Sequence, residues 1–237
     1  MGSNYKTGIL FVHGIQGNPQ QFDDLIRCLP DSVIIRNLLL PGHGSSVRQF
    51  RKSEAFEWLS AVQNASCELR AQCEHICFVG HSMGCLLGLL TEQNHPGIFD
   101  AMILICCPFS LRPTFRYFRN SFLASFPGAA KGDPFVQAAR NANSVHARFP
   151  VQYLTAFHPY LELFRLIHAV KKTLYIPDCS LRFFYSGRDE IVGRSSIQYA
   201  ENKYGVKTEL LNQCGHNYFT QSAKDRIIAE ILLLSAT

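Results

Sequence analysis

Ser82 stands between two glycines in Gly80-His81-Ser82-Met83-Gly84, a G-x-S-x-G spacing. An apolar run from Ile76 to Val79 leads into it, and Cys85 to Leu90 continue with helical character. A strand that turns sharply into a helix here strains the serine and lifts its hydroxyl off the sheet. Gly80 and Gly84 then fall where strand and helix pass too close for a Cβ. The plain alternative is an ordinary turn whose serine caps a helix.

A serine hydroxyl is a poor nucleophile near neutral pH and needs a base, and the base needs a partner that fixes its tautomer. His216, in Cys214-Gly215-His216-Asn217, and Asp189, in Ser186-Gly187-Arg188-Asp189, each follow an expected strand. A parallel sheet would carry both to the edge that holds Ser82. The chain order Ser82, Asp189, His216 differs from the orders on the chymotrypsin and subtilisin folds. A loop histidine can also be mere helix-entry decoration, and an aspartate can simply close a turn. Glu190 adjoins Asp189 as a competing carboxylate, and Asp178 precedes its strand instead of following it. Turn chemistry favours Asp189.

Attack on a carbonyl places negative charge on oxygen, which calls for preorganised N–H donors. Met83 N–H, the first amide after the nucleophile, is one expected donor. Ile15 N–H, from the loop His13-Gly14-Ile15-Gln16-Gly17 after the first strand, is the other. His13 and His43 are read as structural, holding that loop and the Pro41-Gly42-His43-Gly44 turn.

The elements that position these groups alternate. Strands are expected at Gly8–Val12, Val33–Ile35, Ile76–Val79, Ala101–Cys106, Leu181–Tyr185 and Val206–Leu211. Between them lie helical patterns. One opens at Asn18-Pro19, with Asn18 as cap and Phe22, Leu25, Ile26 and Leu29 at helical spacing. Another follows Ser53, with Trp58, Val62 and Leu69 on one stripe. The alternation predicts an α/β fold with a mostly parallel sheet of about six strands and helices on both faces. Residues 108–178 break the rhythm, holding seven of the eleven prolines and many aromatics. They are read as an inserted helical cap between core segments 1–107 and 179–237. Phe109, Phe115, Tyr117, Phe118, Phe122, Phe126, Tyr153, Phe157 and Tyr160 either form the cap's own core or face a pocket.

Composition narrows the class. The 237 residues are 47% apolar and 17% charged, enough for one globular domain,. The net charge of +5 is scattered along the chain, so nucleic acid is not implied; a solvated basic face is the favoured reading, with a weak attraction to anionic surfaces as the alternative,. Nine cysteines, mostly within apolar runs, suggest small buried side chains in a reducing compartment,. Cys73, His75 and Cys77 lack the second ligand pair of a zinc site, so nothing here requires a metal. No apolar stretch reaches the length of a transmembrane segment and the N-terminus lacks a signal-peptide core, so the expected setting is cytoplasmic, as a monomer or weak homodimer.

Taken together, His13-Gly14, Pro41-Gly42-His43-Gly44, Gly80-His81-Ser82-Met83-Gly84, Gly187-Arg188-Asp189 and Gly215-His216 resemble the α/β-hydrolase superfamily. The segment Leu10-Phe-Val-His-Gly-Ile-Gln-Gly-Asn18 and the short cap are most similar to small bacterial carboxylesterases related to monoacylglycerol lipases. That resemblance implies a carboxylic ester hydrolase that acts on a small acyl ester through an acyl-enzyme on Ser82, without a cofactor. The visible strands are fewer than the family usually has, so its N-terminal antiparallel strands are expected to be missing. A thioesterase, a peptidase or a carbon–carbon bond hydrolase would use the same triad. Haloalkane dehalogenases and epoxide hydrolases place Asp where Ser82 stands. A non-catalytic binding module on the same scaffold would ordinarily have lost one of the three residues.

Overall fold

In the computed structural model, which describes residues 5–235 apart from 127, 129–131, 146–151 and 153–154, the apolar runs pair into one sheet. Its strands are β1 (Tyr5–Val12), β2 (Ile34–Leu38), β3 (Cys73–His81), β4 (Ala101–Ile105), β5 (Ser180–Ser186) and β6 (Glu209–Leu211). They lie in the order β2-β1-β3-β4-β5-β6, and every pairing is parallel. Parallel pairing requires a crossover after each strand, so both sheet faces are covered and central strands can be apolar throughout. All five residues of β4 are buried, whereas edge strand β2 is only partly so.

The helices are α1 (Asp23–Ile26), α2 (Val47–Phe50), α3 (Ala55–Arg70), α4 (Met83–Asn94), α5 (Phe115–Ala124), α6 (Pro134–Ala142), α7 (His158–Lys172), α8 (Arg194–Tyr204) and α9 (Gln221–Ser235). The pleat divides them between two faces. Thr7 and His75, register partners on β1 and β3, both hydrogen-bond to carbonyls in the last turn of α9. Phe78, pointing the opposite way from His75, meets α4 at Gly88. Helices α3, α4 and α7 pack on one another, and α1 packs on α9. Trp58, Phe11, Phe78, Phe183 and Phe184 are almost wholly buried between sheet and helices.

Four expectations are altered by packing. The segment after Asn18 forms a 3₁₀ turn, Pro19–Phe22, and then the short α1, which ends before Leu29. Asn18 caps nothing, because its Nδ2 donates to the carbonyls of Asn141 and Ala142 at 2.9 and 3.0 Å. Strand β6 is shorter than Val206–Leu211. Glu201 of α8 accepts the Thr208 amide at 3.2 Å, which removes that donor from the ladder. The segment 108–178 is also not uniform. Helices α5 and α6 stand over the strand ends, while α7 packs on α3 and α4 and adds Leu163, Leu166, Ile167 and Val170 to the core.

Of the aromatics in that segment, Phe109 is buried against Phe183, Tyr199 and Tyr204. Phe115, Phe118, Phe122, Phe126 and Phe157 are exposed, and Tyr153 lies outside the described residues. All nine cysteines are free; six are buried, Cys179 is half-buried, and Cys28 and Cys67 are exposed. No helix among the described residues is long and apolar enough to cross a membrane.

Candidate active site

The register of the sheet brings the ends of β1, β3, β4 and β5 level: Val12 pairs with Gly80, Gly80 with Leu104, and Ile105 with Phe184. The loops that follow these strands therefore converge on one edge. Ser82 occupies the single-residue turn between β3 and α4, with φ of 52° and ψ of −122°. A positive φ is costly for a residue with a side chain and persists only where its surroundings enforce it. Here Ser82 N donates to Ile105 O at 2.8 Å and Cys85 N donates to Ser82 O at 2.9 Å. A Cβ on Gly84 would lie 2.1 Å from the Val12 carbonyl oxygen, so the start of α4 sits directly on the end of β1.

His216 reaches this turn from the loop between β6 and α9. Its Nε2 lies 3.1 Å from Ser82 Oγ, and its Nδ1 lies 3.0 and 3.2 Å from the two carboxylate oxygens of Asp189. Asp189 Oδ1 also accepts the amides of Ile191 and Val192, both at 2.8 Å. Burial raises the Asp189 pKa, but the His216 charge, its hydrogen bond and the two amides outweigh it, and the carboxyl sits below its ordinary value,. Burial likewise opposes charge on His216, yet Asp189 and, further off, Glu190 hold its pKa above the usual histidine value. An ionised Asp189 requires the proton on Nδ1, which leaves the Nε2 lone pair for the Ser82 hydroxyl.

The neighbouring carboxylate does a different job. Glu190 Oε2 accepts the His216 backbone amide at 2.8 Å, and Oε1 faces Asn120 Nδ2 at 3.4 Å and Arg116 Nε at 3.8 Å. Glu190 thus holds the histidine loop while Asp189 holds the ring, and Asn120 and Arg116 link that grip to α5. Asp178 is exposed, ahead of β5.

Gly14 and Ile15 pass over Ser82, since a Cβ on Gly14 would lie 2.8 Å from Ser82 Cβ. Among the described residues, no acceptor takes the amide of Ile15 or of Met83. The loop is pinned from below by Gly17 N to Gly14 O at 3.0 Å and His13 Nδ1 to the same oxygen at 2.8 Å. It is pinned from above by Ser144, whose amide donates to Gln16 O at 2.8 Å and whose hydroxyl donates to Gly17 O. Gln16, with φ of 57°, is the strained residue this grip holds.

The other histidines are structural in their contacts. His13 Nε2 accepts the Leu40 amide at 3.1 Å, and burial, with His43 nearby, pulls its pKa down to about 3. His43 is drawn down by burial to about 4. His81 donates from Nε2 to the His216 carbonyl at 2.9 Å, and burial pulls it down to about 3. His81, Cys106 and His216 are the one cluster of metal-ligating types among the described residues. Both ring nitrogens of His216 are engaged, one by Ser82 and the other by Asp189, so a metal here could take His216 only by breaking that chain, and the donor set does not fit one.

Above Ser82 opens a cavity of about 600 Å³, walled by Leu111, Tyr117, Phe122, Phe135, Leu163 and Phe164. Ser82, His216 and Ile15 form its floor. Sequence patterns did not single out Asn120 or Ser144, and they misplaced the work of Asn18 and Glu190. Only Glu190, adjacent to Asp189, carried any local signal.

Comparison with known proteins agrees with this architecture. The description of the alpha/beta hydrolase family matches residues 9–230. No curated protein matches the chain. Among solved structures, a metagenome-derived lipolytic enzyme is 18% identical with a TM-score of 0.68, over 99% of this chain and 95% of that one. The monoacylglycerol lipase of Paleococcus ferrophilus is 14% identical with a TM-score of 0.69, over 97% and 94% of the two chains. The thioesterase domain of the curacin biosynthetic pathway is 16% identical with a TM-score of 0.65, over 98% and 93%. With a six-stranded parallel sheet, a strained strand-to-helix serine and a family match over most of its length, the chain belongs to the alpha/beta hydrolase family.

Proposed function

We propose that this hydrolase cleaves carboxylic esters through an acyl-enzyme on Ser82, with His216 as general base and acid and Asp189 as the residue that fixes the imidazole. The observation that carries the reading is the continuous hydrogen-bond chain from Ser82 Oγ through His216 to Asp189, on the floor of an apolar cavity. As Ser82 Oγ attacks the ester carbonyl carbon, its proton passes to His216 Nε2. The carbonyl oxygen becomes an oxyanion facing the Ile15 and Met83 amides, each worth about 3 to 4 kcal/mol to the barrier. Collapse breaks the bond to the alkoxide, which takes the proton from His216 and leaves as alcohol. Water then repeats the sequence on the acyl group, releasing a carboxylic acid and restoring Ser82. Nucleophile, base and donors are all protein groups, so the reaction asks for no cofactor.

An acyl chain suits the aromatic and aliphatic side chains that make up most of the cavity surface,. The solved relatives named for lipolytic and monoacylglycerol lipase activity support an acyl ester as the substrate class. The reading places the enzyme in the cytoplasm as a monomer or weak homodimer. A fluorophosphonate probe is expected to label wild-type protein once, at Ser82, and to leave Ser82→Ala unlabelled. A panel of p-nitrophenyl esters, monoacylglycerols and acyl-CoA then sorts the substrate. Turnover of acyl-CoA far above every oxygen ester would replace the esterase reading with a thioesterase one.

A further inference from the structure

The basic residues are scattered along the chain, but the net excess of positive charge falls in one segment. Residues 108–178 hold nine Lys and Arg against three Asp and Glu, a net charge of +6, whereas the rest holds 14 against 15, a net of −1. The same segment carries the apolar surface. Among the described residues, nine of the fourteen large hydrophobic side chains that are exposed lie within it. Net positive charge and exposed apolar side chains therefore fall in the same stretch of the sequence,.

Helix α5 is turned inside out. Its one buried residue is the polar Asn120, while Phe115, Phe118 and Phe122 are 84, 60 and 59% exposed. Their spacing of three and four residues sets them on one helix face. Phe126 extends the stripe, its ring 5.0 Å from that of Phe122. Phe157, Leu161 and Phe164, at the start of α7 and spaced by four and three, form a second stripe at 64, 47 and 54% exposure. Phe118 and Phe122 from the first stripe and Phe164 from the second line the cavity above Ser82, so both stripes border its mouth. Arg112 and Arg119 are exposed beside the first stripe, Arg119 paired with Asp133, and Arg165 is exposed beside the second, paired with Glu162.

Aromatic rings that project past a polar face studded with arginine are the chemistry of the boundary between lipid headgroups and acyl chains. A second copy of the chain would bring one +6 segment against another, which opposes self-association through this face,. We propose that α5 and the first turns of α7 dock the protein on an anionic lipid surface, with the phenylalanines in the headgroup boundary, the arginines on phosphates and the cavity mouth facing the lipid. Docking is a property of the surface and is measured without turnover, so it stands or falls separately from the ester reading.

The test is flotation of the full chain with vesicles of equal parts phosphatidylglycerol and phosphatidylcholine, and with vesicles of phosphatidylcholine alone. Wild-type protein is expected to float with the anionic vesicles, to partition about tenfold less onto the zwitterionic ones, and to be released by salt. The variant Phe115→Ser/Phe157→Ser removes two exposed rings that do not line the cavity. It is expected to lower the partition about tenfold or more while leaving circular dichroism and hydrolysis of a soluble short ester unchanged. Absence of wild-type flotation on anionic vesicles would overturn the proposal, as would equal flotation of the double variant. A concentration-dependent dimer that the variant abolishes, without vesicle binding, would assign the face to a second copy instead.

Discussion

Replacing Asp189 by Asn changes one atom and should disable the base without unfolding the site. In the native arrangement Oδ1 is committed to the amides of Ile191 and Val192 at 2.8 Å each, and Oδ2 faces His216 Nδ1 at 3.0 Å. The asparagine oxygen will keep the two amide donors, because an NH₂ group there would oppose both. Its NH₂ must then face His216 Nδ1, which can be satisfied only if that nitrogen accepts. The ring takes the other tautomer, and its Nε2–H points at Ser82 Oγ, 3.1 Å away, where a proton acceptor is required. Loss of the correct tautomer is worth about 10⁴ in kcat in the serine protease case, or roughly 5.5 kcal/mol of barrier. A second effect separates this account from simple loosening. The carboxylate holds the His216 pKa above its ordinary value against burial, so removing it lets the pKa fall,. The base works only when neutral, so the rising acid limb of kcat/KM should move to lower pH in the variant. The assay is kcat/KM for a soluble p-nitrophenyl ester from about pH 5 to 9, across the histidine range. Activity within about tenfold of wild type, with the acid limb unmoved, would refute the assignment of Asp189 and its tautomer argument.

Glu190→Gln should be milder, because an amide oxygen can still accept the His216 backbone N–H. A loss of about tenfold in kcat, or ~1.4 kcal/mol, with the acid limb shifted slightly downward is expected, and a loss as deep as that of Asp189→Asn would show the two carboxylates are not divided as drawn,. Gly84→Ala places a methyl carbon 2.1 Å from a backbone oxygen that cannot rotate away, so destabilisation of about 3 kcal/mol or more should appear as a lowered urea midpoint; an unchanged midpoint would mean that α4 shifts freely,. Stability should fall between pH 7 and pH 5. His13 and His81 have folded pKa values near 3, far below the unfolded value of 6.5, so the unfolded chain binds more protons as pH drops,. Each should remove about 2 kcal/mol at pH 5, while His216, raised in the folded state, acts in the opposite sense,. A melting temperature that held steady over that interval would show that these rings are protonated in the folded protein.

Much of this architecture is written locally. The central strands β1, β3 and β4 are readable because each carries a short apolar run, and a strand buried on both faces, such as Ala101–Ile105, has no other composition available,. The nucleophile turn is readable because close approach of α4 to β1 tolerates only glycine at position 84, which leaves a mark at fixed spacing from Ser82. Asp189 and His216 are found for a related reason: in a parallel sheet, residues just past strand ends share an edge whatever lies between them. Local pattern also misled where partners are distant. Asn18 has the type and place of a helix cap, yet its amide serves carbonyls more than a hundred residues away.

What residue order could not announce is every feature made by two segments meeting. Ser144 grips the Gln16 and Gly17 carbonyls across more than 120 residues, and no motif marks a serine for that task. Glu190 and Asp189 are adjacent carboxylates in the chain, and their division between backbone and ring of His216 depends on which way each side chain leaves the turn. The phenylalanines of α5 have the spacing of a buried stripe, and periodicity alone would turn them inward. They stay exposed, Phe118 and Phe122 along the cavity, because Asn120 is taken by Glu190 beside the histidine loop, which turns the polar side of the helix inward. Periodicity states that a helix has an apolar face; the contacts on its opposite side determine where that face points.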